Sequence, residues 1–138
     1  MPQIILVGVD GSDSSRRAAE TAASLAAATG ATLHVMTAAE DHDRRTEGEY
    51  VGDVRIQSRA EAIATEVAES LEGTAPNVQA TPAHGKPADA LVQVATDIGA
   101  DLIVVGNRRV QGIGRLLGSV ASDVAQHAPC DVYIVKTV

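Results

Sequence analysis

Residues 106–119, GNRRVQGIGRLLGS, set four glycines and three arginines between the apolar run DLIVV and a closing serine. Glycine at that density between a strand and a helix lets the backbone approach a ligand closely. Exposed N–H groups at a helix start can then cradle a phosphate. A second turn of this kind, VDGSDSS at 9–15, follows the first apolar run. Its Asp10 reads as a partner for a ribose or an ion, or as a cap for its own turn. Ser119 reads as a phosphate donor, as the N-cap of the following helix, or as both. Arg108 and Arg109 serve equally as phosphate grips or as solvated loop residues.

Other candidate motifs carry less. GIGRLLG has the spacing G-x-G-x3-G, which is not the dinucleotide fingerprint, and no lysine precedes the serine of LLGS, which excludes a P-loop. His42 between Asp41 and Asp43 reads as a solvated charged loop. His34 reads as a packed, hydrogen-bonded strand residue, and Cys130 as a small core residue. His84 and Lys86 fall near the expected ligand edge but read first as a turn and a helix start. The serines of DGSDSS have no histidine at a triad-like spacing and read as helix caps. No catalytic constellation emerges.

The elements that must position the two glycine turns alternate along the chain. QIILVGV (3–9) is a strand apolar on both faces. SRRAAETAASLAAATG carries Ala18, Ala22, Leu25 and Ala26 at helical spacing and stops at Gly30. ATLHVMTA (31–38) is a second strand, and the charged, aperiodic stretch 39–53 reads as an exposed loop. Ile56, Ala60, Ile63, Ala64, Val67 and Leu71 mark one helix face. NVQATPA is a weaker third strand. The next helix has Pro87 in its first turn and Gly99 just past its end. ADLIVVG is the fourth strand, SVASDVAQHA the last helix, stopped by Pro129, and CDVYIVKTV the fifth strand. This order predicts an α/β fold: a single doubly wound domain over 1–138, a parallel sheet with helices on both faces. Ligands in such sheets sit beyond the carboxyl ends of the strands, where the strand order reverses. Both glycine turns fall on that edge.

Composition narrows the partners. The 138 residues hold two Tyr and no Phe or Trp, and carry a net charge of −7. That charge repels polyphosphate backbones, and bases of a single strand find no aromatic platform, so no nucleic acid is expected. The lone Cys130 has no internal disulfide partner. No apolar run approaches the roughly 18 residues of a membrane span, and no basic segment precedes an apolar one. A soluble, cytoplasmic protein without membrane insertion is expected.

The pieces ILVGVDGSDSSRRA, LHVM, HGKPADALVQVA and ADLIVVGN…GRLLGSVASDVAQHAPCDVYIVK, in this order and spacing, resemble the universal stress protein family. The resemblance implies a five-stranded sheet in the order 3-2-1-4-5. It also implies a homodimer, often built by pairing the last strands, here residues 131–136, whose apolar edge invites pairing. In many members it implies ATP at the switch point without a defined reaction. Asp10 occupies the place of the aspartate that meets the adenosine end, and Val35 that of the main-chain contact to adenine. The phosphates are expected on a motif G-x2-G-x9-G-[S/T] after strand four. Gly106, Gly118 and Ser119 match it, and with Val9, Asn107, Arg109 and Val120 complete the candidate binding set.

The match has two departures. Arg109 stands where the second glycine belongs, and eight residues (110–117) replace nine. One extended residue spans roughly 3.3–3.6 Å, so the loop amides cannot all take the usual places. Arginine costs about 1–2 kcal/mol in a left-handed conformation but offers a charge-assisted bond to phosphate. The expectation is a non-catalytic stress-response regulator or sensor binding ATP or another adenine nucleotide, with Mg a candidate companion of the phosphates. AMP and cyclic AMP become candidates beside ATP. The alternative is a member of the non-ATP-binding type acting as a dimeric interaction module.

Overall fold

A computed structural model describes residues 2–39, 50–51, 54–55, 59–107 and 118–137. The strands β1 (Ile4–Gly8) and β2 (Thr32–Ala39) open the sheet, with helix α1 (Asp13–Thr29) between them. Two short strands, β3 (Tyr50–Val51) and β4 (Val54–Arg55), pair antiparallel with each other. The chain continues through α2 (Arg59–Leu71), β5 (Asn77–His84), α3 (Pro87–Ile98), β6 (Leu102–Gly106), α4 (Ser119–His127) and β7 (Asp131–Val135).

The main sheet has the order β5-β2-β1-β6-β7, with every neighbouring pair parallel. Numbered by its own five strands, this is the expected order 3-2-1-4-5 in an α/β fold. β1 lies at the centre because all its residues are apolar or glycine, so both faces can be covered. Ile5 and Val7 face the layer of α1 and α2, while Leu6 faces the layer of α3 and α4. The positions that α1 buries are all alanine: Ala18, Ala19, Ala22, Ala23 and Ala26. Side chains this small bring the helix axis close to the sheet, which draws the N-terminus of α1 in beside the ends of β1 and β6.

Two differences from the sequence reading follow from packing. Residues 39–53, read as a loop, include β3 and the end of β2. Strands of two residues are too short to carry a period, so no pattern could announce them. β2 itself runs to Ala39, because Thr37 and Ala38 pair with Pro82 and Ala83 of β5. Val35 is therefore a mid-strand residue, fully buried between Val7 and Ala80. Ile56, the first residue assigned to the face of α2, lies outside the described residues, as do His42 and Arg109. Among the described residues no helix is long and apolar enough to cross a membrane.

Candidate functional site

At the carboxyl edge, β1 turns towards β2 on one side and β6 towards β7 on the other, leaving a crevice between their ends. It holds a cavity of about 350 Å³, lined from β1 and its turn by Gly8, Val9 and Asp10. Ser12, Ser14 and Ser15 reach it from the start of α1, Val105 and Gly106 from β6, and Gly118 to Ala121 from the start of α4. Met36 and Ala38 of β2 and Pro87 and Leu91 of α3 supply the apolar wall.

The turn after β1 is fixed by its own side chains. Asp10 Oδ1 accepts from Ser12 N–H at 2.9 Å, and Asp10 N–H donates to Ser15 Oγ at 3.2 Å. Ser12 is the N-cap of α1 and accepts from Ser15 N–H at 3.2 Å. Gly11 takes φ +86°, a conformation that favours glycine and folds Asp10 back over the helix start. Asp10 thus caps the turn and lines the cavity at once.

The start of α4 is organised differently from the expectation. Its N-cap is Gly118, so Ser119 occupies the first helical position and makes no side-chain cap. The reading of Ser119 as N-cap is corrected. Proximity explains it: Asn107 Oδ1 already accepts from Gly118 N–H at 2.9 Å and fixes the entry into the helix. The first helical bond runs from Ser122 N–H to Gly118 O. Ser119, Val120 and Ala121 therefore occupy positions whose N–H groups have no acceptor within the helix, and all three line the cavity. The helix dipole adds partial positive charge there. Among the described lining residues Asp10 is the one charged side chain. Uncharged main-chain donors are thus what this wall offers to an anion.

Of the sequence-selected residues, Val9, Asp10, Gly106, Gly118, Ser119 and Val120 come together around this cavity. Val35 does not; β2 meets the cavity through Met36 and Ala38, further along the same strand. Asn107 turns its carboxamide to Gly118. Neither His84 nor Lys86 is on the lining, and the helix start beside them contributes Pro87 and Leu91 instead. The apolar wall was missed, although strand alternation beyond Val35 points Met36 and Ala38 to one face. No group of three His, Cys, Asp or Glu that could hold a metal exists among the described residues.

His34 and Cys130 lie away from the cavity lining. Burial pushes the His34 pKa down, favouring the neutral ring, whose Nδ1 lies 3.3 Å from Thr81 Oγ1. Burial, then the charges of Asp131 and Asp101, push the Cys130 thiol up, away from the reactive thiolate.

A parallel sheet in this order, with the starts of α1 and α4 at its switch point, places the chain in the doubly wound class of α/β proteins. Within it, the family profile described as the universal stress protein family matches residues 1–136. A universal stress protein of Mycobacterium tuberculosis is 37% identical over 139 residues, covering 96% of this chain and 95% of its own. The chain belongs to the universal stress protein family. A solved universal stress protein in complex with cAMP is 38% identical with a TM-score of 0.79, over 99% of this chain and 98% of its own. One from Archaeoglobus fulgidus in complex with dAMP is 25% identical with a TM-score of 0.73, over 97% of this chain and 98% of its own.

Proposed function

We propose that this chain binds an adenine mononucleotide in the crevice between β1 and β6 and acts as a binding regulator without turnover. The observation that carries the reading is the convergence of the Ser119, Val120 and Ala121 positions on an open cavity, in a chain with solved relatives holding cAMP and dAMP. The phosphate would meet the first turn of α4, and Asp10 the ribose. The base would lie against the apolar wall of Met36, Ala38 and Leu91. The cavity of about 350 Å³ falls within the range of about 300 to 1,000 Å³ usual for small-ligand sites.

ATP, with Mg carried on its phosphates, is the second reading, favoured by the match of Gly106, Gly118 and Ser119 to the family's phosphate motif. Calorimetric titration with cAMP, AMP, ADP and ATP separates the two. Heat with cAMP or AMP at lower concentration than ATP is expected. Heat with none of the four contradicts nucleotide binding and leaves the interaction module standing. We further propose that two chains pair through β7, an edge strand of the sheet that exposes Tyr133.

A further inference from the structure

We propose that Asn107 and Thr137 are the positioning residues of the anion-binding turn, so that the segment after β7 belongs to the ligand site without touching the ligand. The proposal rests on the nucleotide reading above. Its starting point is that one side chain joins the two ends of the glycine-rich stretch. The chain leaves β6 at Asn107 and re-enters described structure at Gly118, and Asn107 Oδ1 accepts Gly118 N–H at 2.9 Å. Asn107 is itself held on both sides of its backbone. Its N–H donates to Val135 O at 3.0 Å, and its carbonyl accepts from Thr137 Oγ1 at 3.2 Å. The entry of α4 thus hangs on Asn107, and Asn107 on residues 135–137.

Thr137 is built in accordingly. It lies beyond β7 yet is only 3% exposed, and a buried hydroxyl outside regular structure needs partners. It has them: Ser14 Oγ at 2.6 Å and the Asn107 carbonyl, while its own carbonyl accepts from Arg17 Nη1 at 2.8 Å. A hydroxyl has one proton. Thr137 donates its proton to Asn107 O, so the short contact to Ser14 must be Ser14 donating to Thr137. Ser14 lines the cavity with its proton already committed and offers the ligand an acceptor only. It suits a ribose hydroxyl and not a phosphate oxygen, leaving phosphate to α4.

This arrangement accounts for how the start of α4 is held at the cavity. The position of Gly118 is set by a clamp, its bond to the Asn107 carboxamide. An N–H···O bond weakens steeply with misalignment, so releasing the clamp should cost the phosphate contact selectively.

The test compares AMP with adenosine, which lacks the phosphate, on the full chain carrying Asn107→Ala, Thr137→Val or Thr137→Ser. Asn107→Ala is expected to weaken AMP about tenfold while adenosine changes less than about twofold. Thr137→Val should lose AMP affinity in the same selective way, and Thr137→Ser, which keeps the hydroxyl, should bind as the parent does. Equal losses for both ligands, or unchanged AMP affinity in both Asn107→Ala and Thr137→Val, overturn the proposal. If Asn107→Ala fails to fold, native-state hydrogen exchange decides: Gly118 N–H protected in the parent and exposed in Thr137→Val supports the clamp, and Gly118 N–H unprotected in the parent overturns it. A parent that binds neither AMP nor adenosine, and none of cAMP, ADP and ATP, refutes the nucleotide reading and this proposal with it. A parent that binds both, with unselective variants, refutes this proposal alone.

Discussion

Gly106 ends β6 without a left-handed backbone; what its neighbours require is the missing side chain. A Cβ there would stand 3.2 Å from Ser14 Oγ and 3.3 Å from Ser14 O. The carbonyl belongs to the first turn of α1 and has little freedom to give. Gly106→Ala is therefore expected to destabilise the fold by about 1–3 kcal/mol in urea unfolding, the usual range for overpacking, and to weaken AMP binding as the two helix starts move apart. Ser119 gives the opposite expectation. As a first helical residue without a cap bond, its change to alanine should alter stability by less than about 0.5 kcal/mol. Loss of a true N-cap would cost about 1 kcal/mol in the same measurement. Residue type alone could not separate those roles, because serine serves at either position. What decides is the Asn107 carboxamide on the Gly118 amide, a contact between positions eleven apart that no local pattern contains.

At the scale of elements, the strands and helices of the main sheet were legible because apolar runs bounded by glycine and proline leave little choice. The ends were legible where a cap glycine marks them, as at Gly30 and Gly99. They were less legible where pairing extends a strand past its apolar run, as β5 does for β2, which reaches Ala39. One link between elements is open to a pH test. Asp101, at the start of β6, accepts from Gln3 N–H and Ile4 N–H, both at 2.9 Å, and so anchors the start of β1. These bonds favour the ionised carboxylate and hold its pKa below the ordinary 3.8. A folded-state pKa below the unfolded one contributes stability above the unfolded value, lost as pH falls through the folded value. Asp101→Asn is therefore expected to unfold at lower temperature than the parent at pH 7. The gap should close as pH drops below about 4. A gap that persists unchanged into acid would assign the effect to something other than this carboxylate.

For the whole molecule, the chain has two Tyr and no Phe or Trp, so it has few large aromatic side chains to build an interface from. The proposed pairing of two copies through β7, one of the two edge strands of the main sheet, would then rest on main-chain bonds and modest apolar contacts. Tyr133, 45% exposed on that strand, is the natural probe. Sedimentation at micromolar concentration is expected to give a dimer for the parent and a shift towards monomer for Tyr133→Asp; a monomeric parent would remove the pairing. The bond from Asn107 N–H to Val135 O joins that edge to the crevice between β1 and β6, so pairing and nucleotide binding can be measured together.

The central claim is that main-chain amides at the start of α4 receive a phosphate. Amide chemical shifts from a titration of isotope-labelled protein report on it directly. Saturating AMP is expected to move the Ser119, Val120 and Ala121 resonances strongly, and adenosine to leave them nearly in place. If AMP binds and those three amides stay where they were, the phosphate lies elsewhere and the account is wrong.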